Sequence, residues 1–198
     1  EGVVVKDGNE ILDRSEIFRY KNGSISAFSN IFRFVLLYKR GGYLVDTDLI
    51  CLKKLPFKEE DIIFASEPFK DYKTTTPTSS LLKIPKNHKI GLAGIIILNE
   101  LKKAILEGRM KWGAGPTTVK LLVNNYNLKN NILHWNGICS CCCEDYRSIF
   151  YPNEKDFDKN VIKSLNNIPD NMYCIHLWNE MLRLGGVDKN QTFDKDSL

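Results

Sequence analysis

The chain has 198 residues, 43% hydrophobic and 26% charged, which is enough for one domain with a real core and too few for two comfortable ones. Its formal charge of +4 comes from 28 basic residues spread among 24 acidic ones, a balance that suits a small anionic substrate and argues against a nucleic-acid partner. No apolar run approaches the roughly 20 residues that span a bilayer, and no basic-then-apolar leader opens the chain, so the expectation is a soluble, cytoplasmic protein with no membrane span.

Gly2 to Val5 reads as a short strand, Lys6-Asp7-Gly8-Asn9 as a turn, and the residues up to about Phe18 as a short polar helix. Phe28, Ile31, Phe32, Val35 and Leu36 follow the i, i+3, i+4 spacing of a buried helical stripe, with Ser29 and Arg33 four apart on another face. Lys39 and Arg40 suit the negative end of that helix, and Gly41-Gly42 can take the left-handed turn that ends it. Tyr43-Leu44-Val45 then predicts a short strand. Side chains two apart on a strand project the same way, so Asp46 and Asp48 are expected to point to one side where it emerges. Such a carboxylate pair supplies hard oxygen ligands for a divalent cation, Mn2+ or Mg2+. Asp156-Phe157-Asp158 and Asp194-Lys195-Asp196 repeat the triplet among Lys and Asn and read as solvated surface. Only Asp46-Thr47-Asp48 lies in apolar sequence, where unmet carboxylates would be costly.

Residues 61–66 predict the next strand, and the Lys, Thr, Pro and Ser of residues 67–80 an exposed loop. Residues 80–84 and 91–98 read as strands or buried segments around a turn carrying a surface His88, and residues 99–111 as a helix. Trp112-Gly113-Ala114-Gly115-Pro116 is a glycine-rich turn opening a helix over 117–125, for which plain capping is one reading. Residues 132–135 read as a strand containing His134. Four of six cysteines crowd into residues 139–143 at a spacing that fits no zinc knuckle, so reduced thiols are expected. Residues 173–179 form a strand with Cys174, His176 and Trp178 on one side, where His176 reads either as an ordinary half-buried histidine or as a ligand. Strands alternating with helices predict an α/β fold with a mainly parallel central sheet flanked by helices.

Ser29-Asn30-x-x-Arg33, Leu36-Leu37-Tyr38 and Gly41-Gly42-Tyr43-Leu44-Val45-Asp46-Thr47-Asp48 together resemble the sugar-binding signature of DXD glycosyltransferases of the GT-A type. That group includes α-1,4-galactosyl- and mannosyltransferase-like proteins, the glucosylating toxins and small transferases of large algal viruses such as the chlorella viruses. If the chain is viral, the host cytoplasm is its expected place. The resemblance implies a GT-A-like sandwich over residues 1–198, with the family's first strand lying before Glu1. It implies transfer of a hexose from a UDP-sugar, such as UDP-glucose, to a saccharide or glycan acceptor, with retention. Asp46 and Asp48 would hold Mn2+ or Mg2+, joined by His176 on a closing strand of the form Ile-His-x-Trp, with Asn179 and Glu180 as second choices. Asp46, Asp48 and Arg33 would be catalytic. Ser29, Asn30, Arg33, Asp46, Thr47, Asp48, Gly115 and Trp178 would bind donor sugar or nucleotide. The sequence departs at Asn30, where the family usually has an Asp that helps hold the donor sugar, so donor identity is the property this change touches. Two other readings stand beside this one: a nucleotide-sugar-binding module without activity, and a metal-dependent phosphohydrolase.

Overall fold

The computed structural model describes residues 2–154, 157–158, 161–162, 168–188 and 190–193. Asp156 and the Asp194-Lys195-Asp196 triplet lie outside them. The chain divides into two compact units. One comprises Glu1–Leu44, Lys58–Phe64 and Thr78–Ile132, the other Val45–Phe57, Ala65–Pro77 and Leu133–Leu198.

In the first unit the opening residues are not a strand and helix. Val3, Val4 and Val5 are exposed, and two short 3-10 turns follow, each begun by an aspartate, Asp7 and Asp13, that accepts a backbone N–H. Helix α1 spans Ser26–Arg40. It buries Ala27, Asn30, Ile31, Phe34 and Leu37, so the buried stripe is rotated from the predicted one, and only Ile31 belongs to both. The helix is apolar on several faces, and Phe28 and Val35 pack at the edge of the core, which is why spacing alone picked the neighbouring stripe.

Residues 91–98, expected as a strand or buried segment, and 99–106 together form one helix, α2, Lys89–Leu106. The β-branched run Ile95-Ile96-Ile97 favoured a strand, but His88 starts a helix by accepting the Ile90 N–H at 3.2 Å. Gly94 lets α1 come close: a Cβ there would lie 2.2 Å from the Phe34 ring. Helix α3, Ala114–Asn125, begins three residues earlier than predicted, with Pro116 in its first turn and Gly113 left-handed before it. These helices enclose a core built on Phe34, Leu37, Phe64, Leu82, Ile90, Leu98 and Leu122.

The strands are β1 (Tyr43–Val45), β2 (Leu49–Cys51), β3 (Ile63–Pro68), β4 (Thr75–Lys83) and β5 (Cys174–His176). They form two small sheets, one in the order β1-β4-β3 and the other β2-β5. The fold is mixed α/β, but the mainly parallel central sheet expected from the sequence is absent among the described residues: the sheets are small and antiparallel. Parallel neighbours need a crossover of a dozen or more residues. Here β3 and β4 are joined by a short turn in which the Phe69 N–H donates to the Thr74 carbonyl at 2.9 Å and Asp71 accepts the N–H groups of Lys73 and Thr74. Residues 75–80, taken for exposed loop, are therefore strand. Their polarity hid it, while their threonines suit an extended backbone. The predicted strand at 132–135 is a single parallel bridge of Ile132 to Phe64 followed by a 3-10 turn, Trp135–Gly137. Among the described residues no helix is long and apolar enough to cross a membrane.

Gly41 and Gly42 end α1 as predicted, at φ of +70° and +91°. A Cβ on Gly41 would lie 2.6 Å from the Lys86 backbone nitrogen, so this position combines a left-handed backbone with a close approach. Gly41→Ala is expected to destabilise the protein by about 1–3 kcal/mol, read as a lower urea midpoint. An unchanged midpoint would contradict the packing of Gly41 against Lys86.

Candidate metal and donor site

The second unit holds the Asp-Thr-Asp triplet of the candidate site, and the triplet is not the continuation of a buried strand. Tyr43 and Val45 are exposed, and Asp46-Thr47-Asp48 forms a turn between β1 and β2, closed by the Leu49 N–H donating to the Asp46 carbonyl at 3.2 Å. The turn, rather than strand alternation, brings the two carboxylates together.

Strand β5 supplies the third group. It runs antiparallel to β2 in a register that sets Leu49 opposite His176, Ile50 opposite Ile175 and Cys51 opposite Cys174. The Leu177 N–H extends the ladder by donating to the Asp48 carbonyl at 2.9 Å. One ligand atom from each of Asp46, Asp48 and His176 lies within 4.8 Å of the others. His176 is buried, with its Nε2 3.4 Å from Oδ2 of Asp48. That carboxylate also accepts the Asn179 N–H at 2.9 Å. Burial pushes the Asp48 carboxyl up, but the hydrogen bond and charge of His176 and the N–H donors outweigh it and hold it below the usual range.

Trp178 makes this geometry possible. It sits at φ +53° and ψ +43°, a left-handed conformation costly for a bulky residue. The bend turns the chain from β5 into helix α4, Asn179–Leu184, so that the Asn179 N–H meets Asp48. The Trp178 ring packs on His176 with centroids 4.2 Å apart. The Nδ1 of His176 and the Nε1 of Trp178 are buried without a hydrogen-bond partner. Two carboxylates and an imidazole, one of them with an unmet buried nitrogen, fit a divalent cation that accepts mixed oxygen and nitrogen ligands. Asn179 contributes its backbone, not the side chain proposed as a second choice, and Glu180 is exposed and bound by Arg183 at 2.6 and 2.8 Å. Thr47 is exposed.

The first unit gathers the other motif residues around a serine that the sequence did not single out. Ser79, on β4, donates its hydroxyl to Oδ1 of Asn30 at 3.1 Å, and its carbonyl accepts from the Arg33 guanidinium at 3.0 Å. Asn30 donates its own amide to the Ser26 carbonyl at 2.9 Å. Gly115, buried in α3, fits here because a Cβ would lie 2.4 Å from the Ser79 hydroxyl and 2.5 Å from Oδ1 of Asn30. Ser29 is half-buried on α1. The signal for Ser79 was present in the β-branched run before it, masked by polarity.

The cysteine cluster is a packed element. Cys139, Cys141 and Cys142 are buried free thiols, and burial pushes Cys142 up to about 11 and Cys141 to about 12. Beside them the Tyr72 hydroxyl donates to Asp145 at 2.7 Å and accepts the Cys142 N–H at 3.0 Å.

A turn with two carboxylates, backed by a histidine on a paired strand, has the ligand types that could hold a divalent cation. Residues 4–70 match the family described as glycosyltransferase sugar-binding region containing DXD motif, which is the resemblance the sequence carried. The match takes in Ser29 to Asp48 and about a third of the chain. A comparison with curated proteins found no match.

The depressed Asp48 carboxyl has a pH signature. A group whose folded value is lowered contributes stability that is present above its unfolded value, about 3.9, and is lost as pH falls through the folded value. Asp48→Asn lacks that contribution. The difference in urea midpoint between wild type and Asp48→Asn should shrink between pH 7 and pH 3, and a constant or growing difference would contradict it.

Proposed function

We propose that the chain is a metal-dependent hexosyltransferase that moves a sugar from a UDP-sugar to a saccharide hydroxyl with retention of anomeric configuration. The observation that carries this reading is the convergence of Asp46, Asp48 and His176 within 4.8 Å at the motif where residues 4–70 match a sugar-binding region of glycosyltransferases. A divalent cation held there, Mn2+ before Mg2+ because of the imidazole nitrogen, would offset the charge that grows on the UDP leaving group.

The chain's own part is to hold that site rigid. The Asn179 N–H fixes the Asp48 carboxylate, and the Trp178 ring packs over His176. The donor-sugar roles of Ser29, Asn30, Arg33 and Gly115 in the first unit rest on the motif. There Asn30 uses both ends of its amide within the protein, which supports a pocket whose shape, more than a carboxylate, selects the sugar. Retention rests on the resemblance of the motif residues to the family that residues 4–70 match. The same proposal takes residues 1–198 as one transferase domain.

A panel of UDP-sugars with Mn2+, read for both UDP release and glycosylated product, tests the reading. Wild type should transfer sugar with the donor's anomeric configuration kept in the product's NMR spectrum. Asp48→Ala should lose at least about 100-fold in turnover, as should wild type in chelator, while the variant stays folded by circular dichroism. Full activity in either case removes the mechanism. An inverted product removes retention, and phosphate release from simple esters without acceptor would favour a phosphohydrolase.

A further inference from the structure

The strand pair that carries the site also sets two cysteines directly opposite each other. Cys51 on β2 is the register partner of Cys174 on β5, two residues before His176 on the same strand. The ladder's hydrogen bonds run from the Leu177 N–H to the Asp48 carbonyl and from the Leu52 N–H to the Tyr173 carbonyl. Bonded pairs alternate with unbonded ones in an antiparallel ladder, so Cys51 and Cys174 form a non-hydrogen-bonded pair. Such a pair has its Cα atoms about 4.5 Å apart and its side chains closest. That separation falls at the short end of the roughly 4.4–6.8 Å spanned by disulfides. The Cys51 and Cys174 side chains are within hydrogen-bonding and electrostatic reach of each other. Both are free thiols, Cys174 buried and Cys51 exposed, with the Cys51 thiol donating to the Lys53 carbonyl at 3.2 Å.

The geometry points to Cys51 and Cys174 as a reversible dithiol–disulfide pair that staples β2 to β5 behind the Asp46, Asp48 and His176 cluster. The oxidant is a low-molecular-weight disulfide. The exposed Cys51 thiolate attacks it, one small thiol leaves, and a mixed disulfide remains on Cys51. Cys174 then attacks the Cys51 sulfur, its proton passing to the departing small thiolate, so that the second small thiol is expelled. Two protein thiols lose two electrons and two protons, and the small disulfide is reduced to two thiols. Cys51 is exposed, and exposed disulfides are the readily reduced ones, so a small thiol reverses the step. The staple fixes the register that places His176 beside Asp48. The four crowded cysteines of residues 139–143 do not share this arrangement, because they lie outside the described strands and no ladder sets one opposite another.

The test uses the full chain and oxidised glutathione, with non-reducing peptide mapping by mass spectrometry after alkylation. The expected product links the peptides containing Cys51 and Cys174, reverts with dithiothreitol, and is absent in Cys51→Ser, an exposed position whose replacement leaves the core untouched. Hydrogen exchange at the Leu52 and Leu177 amides should slow at least about tenfold in the oxidised form. Cys51 found only as a glutathione adduct, Cys51 linked to Cys143, or a Cys51–Cys174 link with unchanged exchange at those amides would each overturn the proposal. None of these readouts depends on transferase activity, so the pair stands or falls apart from the proposed reaction.

Discussion

The candidate site depends on how one half-buried carboxylate is held. Asp48 is bonded at its backbone carbonyl by the Leu177 N–H and at its side chain by the Asn179 N–H, with His176 beside the same oxygen. A carboxylate taken partly out of water is stable only where donors or a cation meet it. The β2–β5 ladder, the left-handed Trp178 and the start of α4 together supply the donors. Loosening any of them releases the others, because the same short stretch of chain provides all three contacts.

That dependence explains why such small strands suffice. Strands β2 and β5 are three residues each, and a two-stranded ribbon of that length is marginal by itself. Burial of Cys174, Ile175 and His176 and the aromatic contact of Trp178 with His176 add what the ladder lacks. The unmet nitrogens of His176 and Trp178 remain as a local cost. Polar groups left in this state cluster where a ligand completes them.

The sequence made some of this legible and hid the rest for identifiable reasons. Asp46, Asp48 and His176 could be singled out because residue type and motif spacing carry their chemistry. The left-handed Gly41 and Gly42 followed from what only glycine tolerates. The parallel sheet failed because alternating apolar segments do not say which neighbour a strand takes, and the six-residue link between β3 and β4 was lost in a polar run. The strand or buried segment expected at Gly91 to Leu98 is helical because the His88 cap starts a helix and Gly94 makes room for Phe34, neither of which the apolar run reveals. The stripe on α1 was misplaced because the helix has more apolar residues than one face can bury. The threonines before Ser79 marked its strand only faintly, and its tie to Asn30, Arg33 and Gly115 exists only once β4 lies beside α1.

If Asp46, Asp48 and His176 hold the proposed cation, nucleotide binding requires it. Calorimetric titration of UDP into the protein, with Mn2+ present and then removed by chelator, measures that requirement. A diphosphate brought to two carboxylates without a cation meets like charge, so affinity should fall at least about tenfold without Mn2+, and His176→Ala should lose part of the Mn2+-dependent gain. Equal affinity with and without the cation would contradict it.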